Sequence, residues 1–337
     1  MGRRFIVVTT FANRLSGGIA VAWAFVKALK DARQEVWLAS LDKPNYELAK
    51  KFFPFFAKPD KHIFELSPLD LVKFPFKGNV FINAYADAIL YPLDVNYYHT
   101  DPLGVFGSLT EGVKQFVEDY IYDANLARDP LNFANSKRTK RLLEKFGIKS
   151  EVLYPPVPKP KYHPKVEKED MVVYFGRVAR DKNLDLILEV AKELPDVKFV
   201  VAGKPAFPFA WEFMEKAKQL KNVEVIPKIL DEKEKAELFA RAKALILTRK
   251  NEPFGIAPLE GVWLGAVPVL PCSAGAHEVV ESIPCWRDES EVAKVIEEVL
   301  RNHRKYAELA VKGVEENASF DAFKERLFNH LRRRNLL

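Results

Sequence analysis

The stretch 250-KNEPFGIAPLEGVWLGAVPVL-270 decides how this chain is read. It places Glu252 and Glu260 eight positions apart, with Pro253, Phe254, Gly255 and Pro258 between them and an apolar run behind. The preceding KALILT (243–248) and the following AVPVLP (266–271) read as buried strands. Gly255 opens a helix between them, and Pro258 falls in its first turn, where a missing N–H does no harm. A strand-loop-helix-strand unit of this kind implies parallel strands with a crossover helix. Glu252 then sits in the loop at a strand end, and Glu260 lies on the helix, one turn beyond Ile256. The two carboxylates reach different parts of one extended ligand and are not a close acid/base pair. A helix dipole alone accounts for Glu252 cheaply and for Glu260 poorly.

Working outward, the same unit repeats. Towards the N-terminus of this half, MVVYFG (171–176), VKFVVAG (197–203) and NVEVIP are strands separated by helical segments. An earlier series runs RFIVVTT (4–10), helix IAVAWAFVKALKDA (19–32), QEVWLAS, NVFINA (79–84), VNYYHT (95–100) and LNFANS (131–136). Between the two series, YPPVPKPKYHP (154–164) holds five prolines and reads as a stiff, extended connection. Three helical segments finish the chain, the last near 320–334. The 337 residues suit two domains of ordinary size. Two α/β domains joined by such a linker leave a cleft, and ligands in these folds bind at the C-terminal ends of strands.

Composition narrows the class. Hydrophobic content of 48% and charged content of 29% describe a globular protein, with no apolar run long enough to span a membrane. No signal peptide is legible at the N-terminus. The net charge of +6 suits an anionic ligand, and it is spread along the chain rather than blocked. Two cysteines, Cys272 and Cys285, read as buried thiols in a reducing compartment, with a disulfide as the alternative. Three glutamines beside many Lys and Glu fit a heat-adapted protein.

The loops at strand ends carry the chemistry. Gly17 and Gly18 follow Ser16 directly ahead of a helix, where backbone N–H groups favour an anion; a plain strand-to-helix turn explains them equally well. Neither GxGxxG nor a P-loop pattern is present, which argues against a dinucleotide dehydrogenase and a P-loop kinase. GRVARDKN places Arg177 and, five residues on, Lys182 after a strand. A guanidinium and an ammonium together suit a diphosphate; solvated surface charges are the bland alternative. Gly275, in 273-SAGAHEVV-280, opens a further loop-to-helix turn. Cations suit phosphates and carboxylates suit hydroxyls, so these loops together fit a nucleotide diphosphate attached to a sugar.

GRVARDKN, NEPFGIAPLE and SAGAHEVV, with the SGG loop and FANSKRTKRLLEKFGIKSEVLYPPV, resemble the E-x7-E retaining glycosyltransferases of the GT-B fold, glycosyltransferase family 4. The likeness covers nearly the whole chain, and ANSKRTK, VLYPPV and GIAPLEG look closest to mannosyltransferases of lipid-linked oligosaccharide synthesis. It implies two Rossmann-like domains facing across a cleft: an acceptor domain at 1–155, with the final helix (320–337) packing back on it, and a donor domain at 156–319. It also implies roles. Arg177 and Lys182 would hold the donor diphosphate, Glu252 the donor sugar and Glu260 the ribose. Gly17 and Gly18 would approach the phosphates or the acceptor, and His99 would lie close to the transferred sugar. Phe254, Gly255, Ile256 and Gly275 would line the substrate, while His277 either touches the sugar or packs. Without the resemblance, His99 reads as a satisfied strand-end histidine.

In such enzymes retention is ascribed to front-face attack, the donor phosphate oxygen helping to deprotonate the acceptor. No cofactor beyond the nucleotide-diphosphate sugar is then implied, and the absence of a D-x-D motif suggests no metal-bridged diphosphate. The implied partners are that donor and a glycan or lipid-linked acceptor, with no nucleic acid. A cytoplasmic location follows, with peripheral membrane contact as a further expectation: 50-KKFFPFFAKPDK-61 sets four phenylalanines between lysines and either dips into a lipid surface or edges the core. A nucleotide-sugar epimerase or hydrolase and a non-catalytic sugar-nucleotide-binding module are the competing readings.

Overall fold

The computed structural model describes residues 3–12, 16–43, 45–64, 78–86, 93–100, 123 and 127–337. The chain divides into two compact units, Met1–Pro158 with Ser319–Leu337, and Lys159–Ala318. The division falls inside the proline-rich segment 154–164.

Among the described residues the first unit holds a seven-stranded sheet. Its strands are β1 (Arg4–Val8), β2 (Val36–Ala39), β3 (Lys61–Ile63), β4 (Asn79–Asn83), β5 (Val95–Tyr98), β6 (Leu131–Ala134) and β7 (Glu151–Val152). They lie in the order β3-β2-β1-β4-β5-β6-β7, and every pair is parallel. In register, Val7 sits between Leu38 and Ile82. Helix α1 (Gly17–Asp31) buries Ile19, Val21, Ala22, Trp23, Phe25, Val26 and Leu29. Parallel strands covered on both faces read as continuous apolar runs, which is why β1, β4, β5 and β6 are evident from the sequence. The two-to-three-residue edge strands β3 and β7 carry too little pattern to be read, and they were not anticipated. Helices α2 (Tyr46–Phe52) and α3 (Lys137–Glu144) follow β2 and β6.

One sequence expectation changes here, and one left with two readings is narrowed. The helix starts at Gly17, so Gly17 and Gly18 occupy the first turn of α1 and not the loop ahead of it. Ser16 is the N-cap, and its Oγ accepts from Ile19 N at 3.3 Å. Residues 13–15 of the preceding loop lie outside the described residues. In the aromatic stretch, Phe53 and Phe55 turn inward and are 4% and 7% exposed. Phe53 and the partly buried Phe56 pack on Trp23, at ring separations of 6.1 and 5.0 Å. Burying each phenylalanine is worth about 1.5–3 kcal/mol over exposure, so Phe53 and Phe55 are core and unavailable to a lipid surface. The side chain of Phe52 lies outside the described residues.

The second unit is a six-stranded sheet. It contains β8 (Glu169–Phe175), β9 (Lys198–Ala202), β10 (Val223–Ile226), β11 (Ala242–Ile246), β12 (Val267–Pro271) and β13 (Cys285–Trp286). The order is β10-β9-β8-β11-β12-β13, again with parallel pairs. Order reversal on either side of β8 places the C-terminal ends of β8 and β11 at the topological switch, the usual ligand position in such sheets. The helices are α4 (Asp185–Glu193), α5 (Phe209–Ala217), α6 (Glu232–Arg241), α7 (Ile256–Glu260), α8 (Val292–Arg301) and α9 (His303–Ala318). A capping box from Asp231 and Glu234 starts α6.

The chain then returns to the first unit through α10 (Phe320–Arg333), capped by Ser319. Its stripe Phe323, Leu327 and Leu331, one residue per turn, is buried. Phe323 meets Phe25 edge-on at 5.3 Å, and Phe320 stacks on Phe55 at 5.0 Å. Among the described residues no helix is long and apolar enough to cross a membrane.

Candidate active site

In the second unit the strand-end loops are tied into one construction. The carbonyl of Lys182 accepts from the buried Thr248 hydroxyl at 2.5 Å, which fixes the turn after β8 to the end of β11. Asn183, in left-handed backbone with φ of 52°, donates to Thr248 O and to the Glu289 carboxylate. Lys182 ends a single 3-10 turn, Arg180–Lys182, and its Nζ lies 3.4 Å from Glu252 Oε2. Arg249 reaches the same oxygen at 3.6 Å, and Asp181 stands 3.9 Å from Lys182 Nζ. Arg177 is more exposed and grips both Asp181 oxygens, at 3.1 and 3.3 Å. Beneath them the Tyr174 hydroxyl donates to Arg177 O at 3.1 Å. Burial, then the Glu252 and Asp181 charges, push its pKa up, so it stays a neutral donor.

Glu260 has a separate partner. Lys235, from α6, places Nζ 2.6 Å from Glu260 Oε2. Burial works against the Lys235 ammonium, but the charge and hydrogen bond of Glu260 outweigh it, and the Lys235 pKa is raised. Glu252 and Glu260 side chains are only 18% and 16% exposed. Each carboxylate therefore has its own lysine, one from the turn after β8 and one from α6.

The turn between the glutamates is set by Gly255, at φ of 91°, where a Cβ would meet Leu247 Cδ2 at 2.8 Å. Phe254 is buried, while Gly255 and Ile256 are half-buried. The loop after β12 closes on this turn. Asn251 N donates to Ser273 Oγ at 3.3 Å, Gly275 N to Glu252 O at 3.3 Å, and Ala276 N to Phe254 O at 2.8 Å. Gly275 opens a 3-10 turn, Gly275–Val279. His277 is half-buried with Nε2 shut from water and unpartnered among the described residues; burial lowers its pKa. The cysteines correct the thiol reading: Cys272 and Cys285 are half-buried and form a disulfide.

The first unit holds Gly18 and His99. A Cβ on Gly18 would lie 2.5 Å from Cε2 of Tyr85, so the tyrosine ring rests on the first turn of α1. Tyr85 packs against His99 at 4.8 Å, and Tyr97 meets His99 edge-on at 5.0 Å. His99 Nε2 lies 3.0 Å from Ala84 O, and its carbonyl accepts from Asn135 Nδ2 at 2.8 Å. His99 is thus a well-held strand-end side chain, half-exposed beside Gly18 and Tyr85.

Three residues of this construction escape the sequence. Lys235 stands in DEKEKAEL, where alternating charge reads as a solvated helix face. Arg249 and Tyr85 sit in loops with no motif. The i,i+4 acid beside Arg177, Asp181, is the one signal that was available.

Comparison with known proteins bears on this geometry. Residues 158–314 match the family model described as glycosyl transferases group 1. Alpha-galactosylglucosyldiacylglycerol synthase of Streptococcus pneumoniae (strain ATCC BAA-255 / R6) is 26% identical over 252 residues, 64% of this chain and 67% of that enzyme. Among solved structures, the Anabaena protein Alr3699/HepE in complex with UDP and glucose superposes with a TM-score of 0.74 at 14% identity, covering 98% of this chain and 100% of that one. WaaG, a glycosyltransferase involved in lipopolysaccharide biosynthesis, gives 0.68 at 14% identity, covering 96% and 98%. The fold is GT-B, and residues 158–314, most of the second unit, are similar to glycosyl transferases group 1. Together these findings support sugar transfer as the activity.

Proposed function

We propose that the chain is a retaining hexosyltransferase of the E-x7-E type, moving a hexose from a nucleotide-diphosphate sugar to a glycan or lipid-linked acceptor without a metal ion. The observation that carries this reading is the pairing of Lys182 with Glu252 and of Lys235 with Glu260 at the switch point of one sheet. Arg177 and Lys182 hold the diphosphate and stabilise charge developing on the leaving phosphate. Glu252 accepts hydrogen bonds from hydroxyls of the hexose, and Glu260 from those of the ribose. A diphosphate arriving at Lys182 competes with Glu252 for the ammonium, which releases the carboxylate to read the sugar.

A lipid-linked acceptor is supported by the glycolipid synthase among the relatives. The resemblance of ANSKRTK, VLYPPV and GIAPLEG to mannosyltransferases favours mannose as the hexose. The test is incubation with GDP-mannose, UDP-galactose and UDP-glucose, a glucosyl-diacylglycerol or polyprenyl-linked acceptor, and EDTA. Proton NMR of the product should show a new glycosidic bond with the donor's anomeric configuration. Inversion, free sugar alone, or loss of transfer in EDTA would each overturn the corresponding part.

A further inference from the structure

The disulfide lies at a thin edge of the second sheet. Strand β13 has two residues and is held on one side only, through Leu270–Cys285 and Pro271–Trp286. Proline contributes no N–H to that ladder, and Cys272 N to Trp286 O, at 2.8 Å, is the next bond along it. An edge of this size is marginal by itself. The bond between Cys272 and Cys285, separated by 13 positions, spans that edge and closes residues 273–284 into a ring. Within the ring sit Ser273, Gly275 and Ala276, the three residues that bond to Asn251, Glu252 and Phe254. The ring thus props the backbone of Glu252, whose side chain meets Lys182.

We propose that the Cys272–Cys285 disulfide is a positioning clamp: it holds the 273–284 loop against the 251–254 loop and so sets the affinity of the second unit for its donor. The donor part rests on the function proposed above; the loop part does not. Closing a loop covalently restricts the arrangements open to it, and a loop freed at both ends near a weak edge strand samples more of them. Neither cysteine is fully buried, and a thiolate that attacks one of the two sulfurs opens the bond by exchange. A dithiol supplies two electrons and two protons, the Cys272–Cys285 bond breaks to two thiols, and the dithiol closes to its own cyclic disulfide. A disulfide oxidant reverses the step.

The test compares oxidised protein, protein reduced with dithiothreitol, and Cys272→Ser/Cys285→Ser. Hydrogen exchange of peptide 273–280 is one readout; the other is the Michaelis constant of whichever of GDP-mannose, UDP-galactose and UDP-glucose is turned over, with that of the glucosyl-diacylglycerol or polyprenyl-linked acceptor. Reduction should speed exchange in 273–280 and leave the β8–β9 ladder unchanged. It should also raise the donor KM about tenfold, within the range that a small misplacement costs, and leave the acceptor KM unchanged. Reoxidation should restore both, and the serine variant should match the reduced protein and ignore dithiothreitol. Two free thiols in untreated protein, or identical exchange and donor KM in the two redox states, would overturn the clamp. If no donor is turned over in any form, exchange in 273–280 decides the clamp alone, and the transferase reading fails separately. The reduced wild type provides the same comparison if the serine variant does not fold.

Discussion

In Lys159–Ala318, charge is stored in pairs: Lys182 with Glu252, Lys235 with Glu260, and Arg177 with Asp181. In Met1–Pro158, the candidate residues Gly18, Tyr85 and His99 meet through rings and van der Waals contact. The first arrangement suits a ligand that carries charge, and its cations are partly spoken for until that ligand arrives. The second suits a neutral, hydroxyl-bearing ligand, where fit matters more than field. Removing a charge should therefore cost far more turnover in one unit than reshaping a contact costs in the other.

The largest effect is expected from Lys182→Ala and Glu252→Ala, each lowering kcat/KM about 100-fold or more, the scale of one charge-stabilising contact. Because the two side chains touch, the double variant should lose less than the product of the singles. Near-normal turnover in both singles would remove these residues from the site.

In the first unit the expected effect is on packing. Gly18→Ala pushes a Cβ to within 2.5 Å of the Tyr85 ring. Overpacking of this kind costs about 1–3 kcal/mol, visible as a lower melting temperature. Adding Tyr85→Ala should recover most of the loss; no recovery would mean that the strain lies elsewhere.

The smallest effect concerns acid. His62 accepts or donates at Ser40 Oγ (2.7 Å) and Tyr46 OH (3.2 Å), and burial lowers its pKa to about 4, against a smaller opposing pull from Asp42. The unfolded chain binds the proton first, so the contribution of neutral His62 is intact above about pH 6.5 and is lost as the pH falls towards 4. Solvent screening of this half-exposed ring reduces the difference to about 1–2 kcal/mol. Urea melts at pH 7 and pH 4 should therefore separate wild type from His62→Gln by that amount. Equal losses in the two proteins would contradict the assignment.

The legibility of the two units differs for the same physical reasons. Core strands buried on both faces announce themselves as apolar runs, and the E-x7-E spacing survives as a spacing because Gly255 and Pro258 fix the turn between its ends. Contacts made by residues distant in sequence do not announce themselves. Lys235 looks like one more lysine on a charged helix until the fold brings it to Glu260. The aromatic run at 52–56 reads either way because sequence alone does not show which way Phe53 and Phe55 turn; packing against α1 and α10 decides that. Cys272 and Cys285 carry no framework pattern, and only the pairing of β12 with β13 brings them together.

The central claim is that the paired charges of the second unit bind a nucleotide-diphosphate sugar. It is tested most directly by the melting temperature of wild type and Lys182→Ala with UDP-, GDP- and ADP-sugars. A ligand at 100 times its Kd adds about 2.7 kcal/mol to the folded state. At least one donor should raise the melting temperature of wild type, and the same donor should lose most of that shift with Lys182→Ala. No shift with any nucleotide sugar, or an equal shift in the two proteins, would contradict the account.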